Sequence, residues 1–176
     1  FDAYATQTAY LTGQAVEFNN MLAEAHVAYR PTPLLSALMT GPIEKATDIT
    51  RGGAKYNTSG TSNIGLADVV DSLMVIKQLI FEEHAVDFSR LKLAIDSNFE
   101  DDAALHARLM NRVPKFGSGS QQAIEMANRV TRMVHDIHHN HSNYRKGKYT
   151  TGFWSMSQHV AYGSLSGALP SGRLYG

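Results

Sequence analysis

Between Asp2 and about Tyr29, the residues Tyr10, Leu11, Ala15, Phe18, Met21, Leu22 and Ala25 recur at helical intervals, which predicts a long amphipathic helix with these residues on its buried face. Gly13 interrupts the pattern without ending it. Pro31 and Pro33 stop it, because proline has no amide donor and pushes the residue before it out of helical geometry. A short apolar run from Leu34 to Met39 leads through Gly41-Pro42 into a turn-rich stretch from Arg51 to Asn63. There Gly52, Gly53 and Gly60 free the backbone, while Asn57, Ser59, Thr61, Ser62 and Asn63 supply short uncharged hydrogen-bonding groups. This reads as a polar loop suited to lining a pocket. Leu66, Val69, Val70, Leu73, Ile76 and Ile80 then predict a buried helix to about Glu83, N-capped by Ser62 or Asn63.

After a turn at His84 to Asp87, two short helices are expected, from Phe88 to Phe99 and from Asp101 to Asn111. Pro114, Gly117 and Gly119 mark the next break. Ser118 or Ser120 then caps a helix that carries Ile124, Ala127, Val130, Val134 and Ile137 and reaches about His139. The stretch Tyr149 to Tyr162 mixes aromatic and β-branched residues with small polar ones between Gly147 and Gly163, which favours a strand. With alternation starting at Gly152, Phe153, Ser155, Ser157 and His159 share one face, and Trp154, Met156 and Gln158 the other. A strand buried on both sides, one of them toward a pocket, has this mixture.

Composition narrows the function more than the fold. A chain of 176 residues with 43% hydrophobic and 18% charged residues buries a core. Sixteen basic residues balance sixteen acidic ones, so no electrostatic footprint for nucleic acid or an anionic membrane is present. No apolar run approaches the roughly 20 residues that span a bilayer, and no leader pattern opens the chain; a soluble, cytoplasmic protein is expected. Cysteine is absent, which excludes disulfides, thiolate metal sites and a cysteine nucleophile within these residues. Starting at Phe1 and ending just after Pro170-Ser171-Gly172, the sequence is expected to be a piece of a longer one.

The chemical motifs that can be tested mostly fail. Neither G-x-x-x-x-G-K-[ST] nor G-x-G-x-x-G occurs, so nucleotide binding is not expected. Glu82-Glu83 and Asp101-Asp102 are adjacent pairs that point in different directions on a helix, and Asp68 and Asp71 suit the positive end of the helix dipole. No G-x-S-x-G elbow supports a serine hydrolase. His135, His138, His139 and His141 cluster near a helix end, where imidazole meets the dipole favourably; the competing reading is a helical metal-binding module with His135 and His139 as ligands.

Six blocks carry a stronger signal in order: PTPLLSAL at Pro31, GGAKYN at Gly52, GLADVVDSLMVIKQLIFEE at Gly65, RVPKFG at Arg112, YRKGKYTTGFWSMSQHVAYG at Tyr144 and GALPSGR at Gly167. Together they resemble the glycyl radical enzymes, the family of pyruvate formate-lyase, glycerol and propanediol dehydratases, choline trimethylamine-lyase and isethionate sulfite-lyase. The resemblance implies an α/β fold, a ten-stranded barrel with outer helices, of which residues 1–176 are a late, helix-rich part of the barrel domain. It also implies a thiyl-forming cysteine before Phe1 and a radical-bearing glycine beyond Gly176, so this segment alone is inactive, has no catalytic residue and binds no cofactor or metal itself. The implied partners are a small-molecule substrate, an iron–sulfur activating enzyme that uses S-adenosylmethionine, and a second subunit in a homodimer.

Candidate substrate contacts are Asn63, Arg145, Tyr149, Phe153 and Trp154. The sequences GALPSGR and FWSMS depart from the dehydratase pattern, and Arg145 offers a planar fork for an oxyanion. These features favour an isethionate sulfite-lyase-like C–S cleavage over a diol dehydratase, a choline trimethylamine-lyase or a formate C-acetyltransferase. The non-enzyme alternative is a structural subunit.

Overall fold

A computed structural model describes residues 1–176, which divide into two compact units, 1–62 with 133–152 and 63–132 with 153–176. The first unit begins with α1 (Asp2–Tyr29), whose bounds agree with the sequence pattern. Its buried line differs. Thr12 and Val16 are the buried residues, whereas Tyr10, Leu11, Phe18, Met21 and Leu22 are exposed. Thr8 Oγ1 donates to the Tyr4 carbonyl at 2.8 Å, so its hydroxyl is satisfied within the helix and the inner face can be lined by small polar residues. The face chosen by hydropathy is therefore not the face this segment buries.

Pro33 and Pro42 start the short helices α2 (Pro33–Ala37) and α3 (Pro42–Lys45), where a missing amide costs nothing at the first turn. Around them the chain is held by Asp48. Its carboxylate accepts from Thr32 N and Oγ1, Ser36 Oγ, and Thr50 N and Oγ1, at 2.6 to 3.2 Å. The hydroxyl and amide of Thr50 foremost hold the Asp48 carboxyl well below the usual carboxylate range. A depressed native pKa stabilises the fold above the unfolded value of about 4 and loses that contribution as pH falls below it. Acid unfolding monitored by circular dichroism should accordingly show Asp48→Asn destabilised at pH 7 and less sensitive to pH below about 4 than the parent.

The segment expected as a loop contains a strand, β1 (Ser59–Asn63), paired with β2 (Tyr149–Phe153). Ser59 N–H donates to Lys148 O at 3.1 Å and Trp154 N–H to Asn63 O at 3.0 Å, so both chains advance together and the pair is parallel. Thr61 Oγ1 adds a bond to Thr150 O at 3.0 Å. The sheet has two strands; the implied ten-stranded barrel is not formed by these residues.

The extended reading of Tyr149 to Tyr162 is corrected: β2 stops at Phe153, and α8 occupies His159–Leu165. A strand persists only while a neighbour accepts its bonds, and β1 ends where Gly65, at φ 85°, turns the chain into a helix. Gly65 itself is the N-cap, in place of Ser62 or Asn63, the latter being held in β1.

The second unit is built on that helix, α4 (Leu66–Val75), which continues without interruption as a π-helix over Ile76–Glu82. Glu83 N–H reaches back five residues to Gln78 O at 2.8 Å, the bond that defines the wider turn. Val70, Met74, Val75 and Leu79 are almost fully buried together with Leu91 of α5 (Phe88–Asp96) and Leu105 and Leu109 of α6 (Ala103–Arg112). Asp87 caps α5 through Arg90 N–H at 2.7 Å, and Asp102 caps α6 through Leu105 N–H at 3.0 Å while chelating the Arg90 guanidinium. Asp102, one of the adjacent pair Asp101-Asp102, thus serves as both a cap and an ion-pair partner. Asp71 also has a different task from capping: it accepts Phe116 N–H at 2.7 Å, and burial pushes its carboxyl up.

α7 (Gln121–His139) ends where its periodicity predicts. Ala123, Met126, Ala127, Val130 and Val134 form its buried line, while Ile124 is exposed.

Candidate functional site

Strand pairing decides where the candidate residues stand. In the first unit, the turn between α7 and β2 is closed by Asn143, which is only 5% exposed. Its Nδ2 donates to Asn57 O at 2.5 Å and Ser59 Oγ at 2.9 Å, its Oδ1 accepts Gly147 N–H at 2.8 Å, and its own N–H donates to Gly147 O. Arg145 sits at the crest of this turn, ahead of β2, and its Nη2 donates to Ser59 Oγ at 3.3 Å. It helps line a cleft of about 410 Å³ with Asn19, Leu22, Ala23, His26, Thr50, Thr58, Ser59 and Gly60.

Tyr149 is placed in the core. It is 2% exposed, and its hydroxyl accepts from Asn19 Nδ2 at 2.7 Å while donating to Asn20 Oδ1 at 3.0 Å. The phenol thereby ties β2 to α1. Tyr149→Phe should cost about 1 to 2 kcal/mol by leaving both asparagine groups short of a partner, measured as a lower urea midpoint with an unchanged slope.

In the second unit, Asn63 and Trp154 are joined through the last rung of the sheet. Phe153 is 36% and Trp154 62% exposed at the C-terminal end of β2. Arg145 and Tyr149 therefore belong to the first unit, and Asn63, Phe153 and Trp154 to the second.

The histidine cluster does not converge on one point. His135 and His139 stack with ring centroids 5.2 Å apart, while His138 is buried and its Nδ1 lies 2.8 Å from Val134 O. No group of three or more His, Cys, Asp or Glu side chains is arranged to hold a metal ion. No helix is long and apolar enough to cross a membrane. A further cavity of about 330 Å³ in the second unit is lined by Asp68, His159, Tyr162 and Arg173 among others; the Arg173 Nε is buried without a hydrogen-bond partner, 3.9 Å from Asp68 Oδ1.

Asn143 and Asp48 were not singled out by sequence, and Ser59 stood out only as one polar group of the loop, where it lines the cleft. The signals were local: Asn143 and Gly147 bracket a turn, and Asp48-x-Thr50 has the spacing at which aspartate accepts the amide two residues on.

The sequence profile for pyruvate formate lyase-like proteins matches residues 1–163. The trans-4-hydroxy-L-proline dehydratase of Clostridioides difficile is 30% identical over 174 residues, 99% of this chain and 22% of that protein. The isethionate sulfite-lyase of Desulfovibrio desulfuricans is 30% identical over 114 residues, 64% of this chain and 14% of that protein. The glycerol-bound B12-independent glycerol dehydratase from Clostridium butyricum superposes with a TM-score of 0.95 at 31% identity, over 99% of this chain and 22% of that one. The chain thus spans about a fifth of the length of the curated relatives it matches.

Proposed function

Because the chain belongs to the pyruvate formate lyase-like family, we propose that it is part of a glycyl radical enzyme that cleaves a carbon–heteroatom bond in a small polar substrate. The observation carrying this reading is the likeness, over almost the whole chain, to dehydratases of that chemistry. Between the two bonds considered, the extent of the match favours C–O over C–S, since the dehydratase aligns with 99% of the chain and the sulfite-lyase with 64% at the same identity.

The initiating radical, when present, supplies abstraction of a substrate hydrogen. These residues contain no cysteine, so the thiyl group belongs elsewhere in the protein. What this segment contributes is wall. Ligands of parallel α/β sheets collect at the carboxyl ends of the strands, and Asn63, Phe153 and Trp154 stand at the carboxyl ends of β1 and β2. Exposed aromatic faces there suit a site from which water must be excluded while a radical is handled. The partners that go with this reading are an S-adenosylmethionine-dependent activating enzyme and a second subunit of the same protein.

Anaerobic activation of the full-length protein should yield a glycyl radical signal by electron paramagnetic resonance, and turnover of a vicinal diol or hydroxylated amino acid should release water and leave a carbonyl or imine product. Sulfite release from isethionate in its place would move the assignment to C–S cleavage. A competently activated sample with no radical would remove the reading altogether.

A further inference from the structure

We propose that the cleft at Arg145 is a binding site for a small oxyanion, a carboxylate or a sulfonate. It lies wholly within the first unit, is about 410 Å³ in volume, and none of its lining residues is acidic. Arg145 brings a permanently charged guanidinium, of which only Nη2 is engaged, and that at the long distance of 3.3 Å. Ser59 Oγ accepts from both Arg145 and Asn143, so its two lone pairs are occupied and its O–H is left to donate. Asn19 uses one amide hydrogen on the Tyr149 hydroxyl and keeps the other. His26 adds an imidazole to the same wall.

The lining is therefore rich in donors and offers no charged acceptor, which suits a planar or tetrahedral anion better than a diol. Asp48, the acid next in reach through Thr50, is committed inward to its five donors, the Thr50 amide and hydroxyl among them. The donors are also rigidly held: Ser59 is fixed by buried Asn143, and Asn19 by Tyr149. Such preorganisation lowers the cost of binding a small ligand.

The test is isothermal titration of the full-length, unactivated protein with acetate, with isethionate and with neutral 1,2-propanediol. Because no radical is formed, its outcome is independent of the reaction proposed above. Saturable binding of an oxyanion is expected, weakened about tenfold or more by Arg145→Gln and less by Arg145→Lys, which keeps the charge without the fork. Gly60→Val should block it as well: a Cβ at Gly60 meets no atom within 4 Å, so the added side chain fills the cleft and not the core. Failure to bind either oxyanion, or Arg145→Gln and Gly60→Val both titrating like the parent, overturns the proposal.

Discussion

Gly53→Ala is expected to unfold the first unit, by about 4 kcal/mol or more. A Cβ there would stand 1.8 Å from Thr47 O, 2.7 Å from Thr47 C and 3.0 Å from Asp48 O, all of them backbone atoms. Side chains can swing aside; this carbonyl cannot, because Thr47 and Asp48 are fixed on either side of it. Gly53 N–H itself donates to Asp48 O at 3.0 Å, and Asp48 is the hub on which Thr32, Ser36 and Thr50 converge. Moving the peptide to admit a methyl group would pull that hub apart. Gly13→Ala is the matched control: no atom lies within 4 Å of its added Cβ inside α1, so stabilisation by about 0.5 to 1 kcal/mol is expected. Thermal midpoints moving in opposite directions for the two variants would bear this out, and a Gly53→Ala protein that melts like the parent would refute it.

Asn143→Asp should cost about 3 kcal/mol although it changes no heavy-atom volume. The carboxylate would set an oxygen 2.5 Å from Asn57 O and 2.9 Å from Ser59 Oγ, where an amide now donates. Asn57 O and Ser59 Oγ lose their donor, and a charge is placed where there is little access to water, while Gly147 N–H keeps its acceptor. Because Asn143 links the loop before β1 to the turn before β2, damage should concentrate at the start of the sheet. Hydrogen exchange reads this directly: the Ser59 amide, bonded to Lys148 O, should lose more protection than the Trp154 amide, bonded to Asn63 O. Equal loss at both ends would mean that Asn143 contributes only to global stability.

The long helices were legible because each carries its own periodicity. α1 and α7 ended where proline and a histidine-rich terminus said they should. What could not be read locally was which face a helix buries: on α1, Thr12 and Val16 go inside while Phe18 and Met21 stay out, a choice set by the small polar partners Asn19 and Asn20 offer to β2 and its turn. The sheet was legible in half. Tyr149 to Phe153 was found from its aromatic and β-branched content, but Ser59 to Asn63 has almost none and is extended only because β2 pairs with it. The same non-local cause cut the predicted strand short, since nothing in Trp154 to Tyr162 announces that β1 has already turned away at Gly65. Of the candidate residues, Phe153 and Trp154 were expected in a strand buried on both sides and are exposed, whereas the burial of Tyr149 depended on two asparagines about 130 positions distant.

The division into two units follows an uneven path through the sequence. The backbone passes from one to the other between Ser62 and Asn63, again between Arg132 and Met133 within α7, and a third time between Gly152 and Phe153. Neither unit can be excised by choosing two primers, and a single nick by a protease at any crossing leaves two covalent tethers intact. Genetic shuffling of one unit without the other would require three simultaneous junctions, so the pair is expected to be inherited, truncated or lost together.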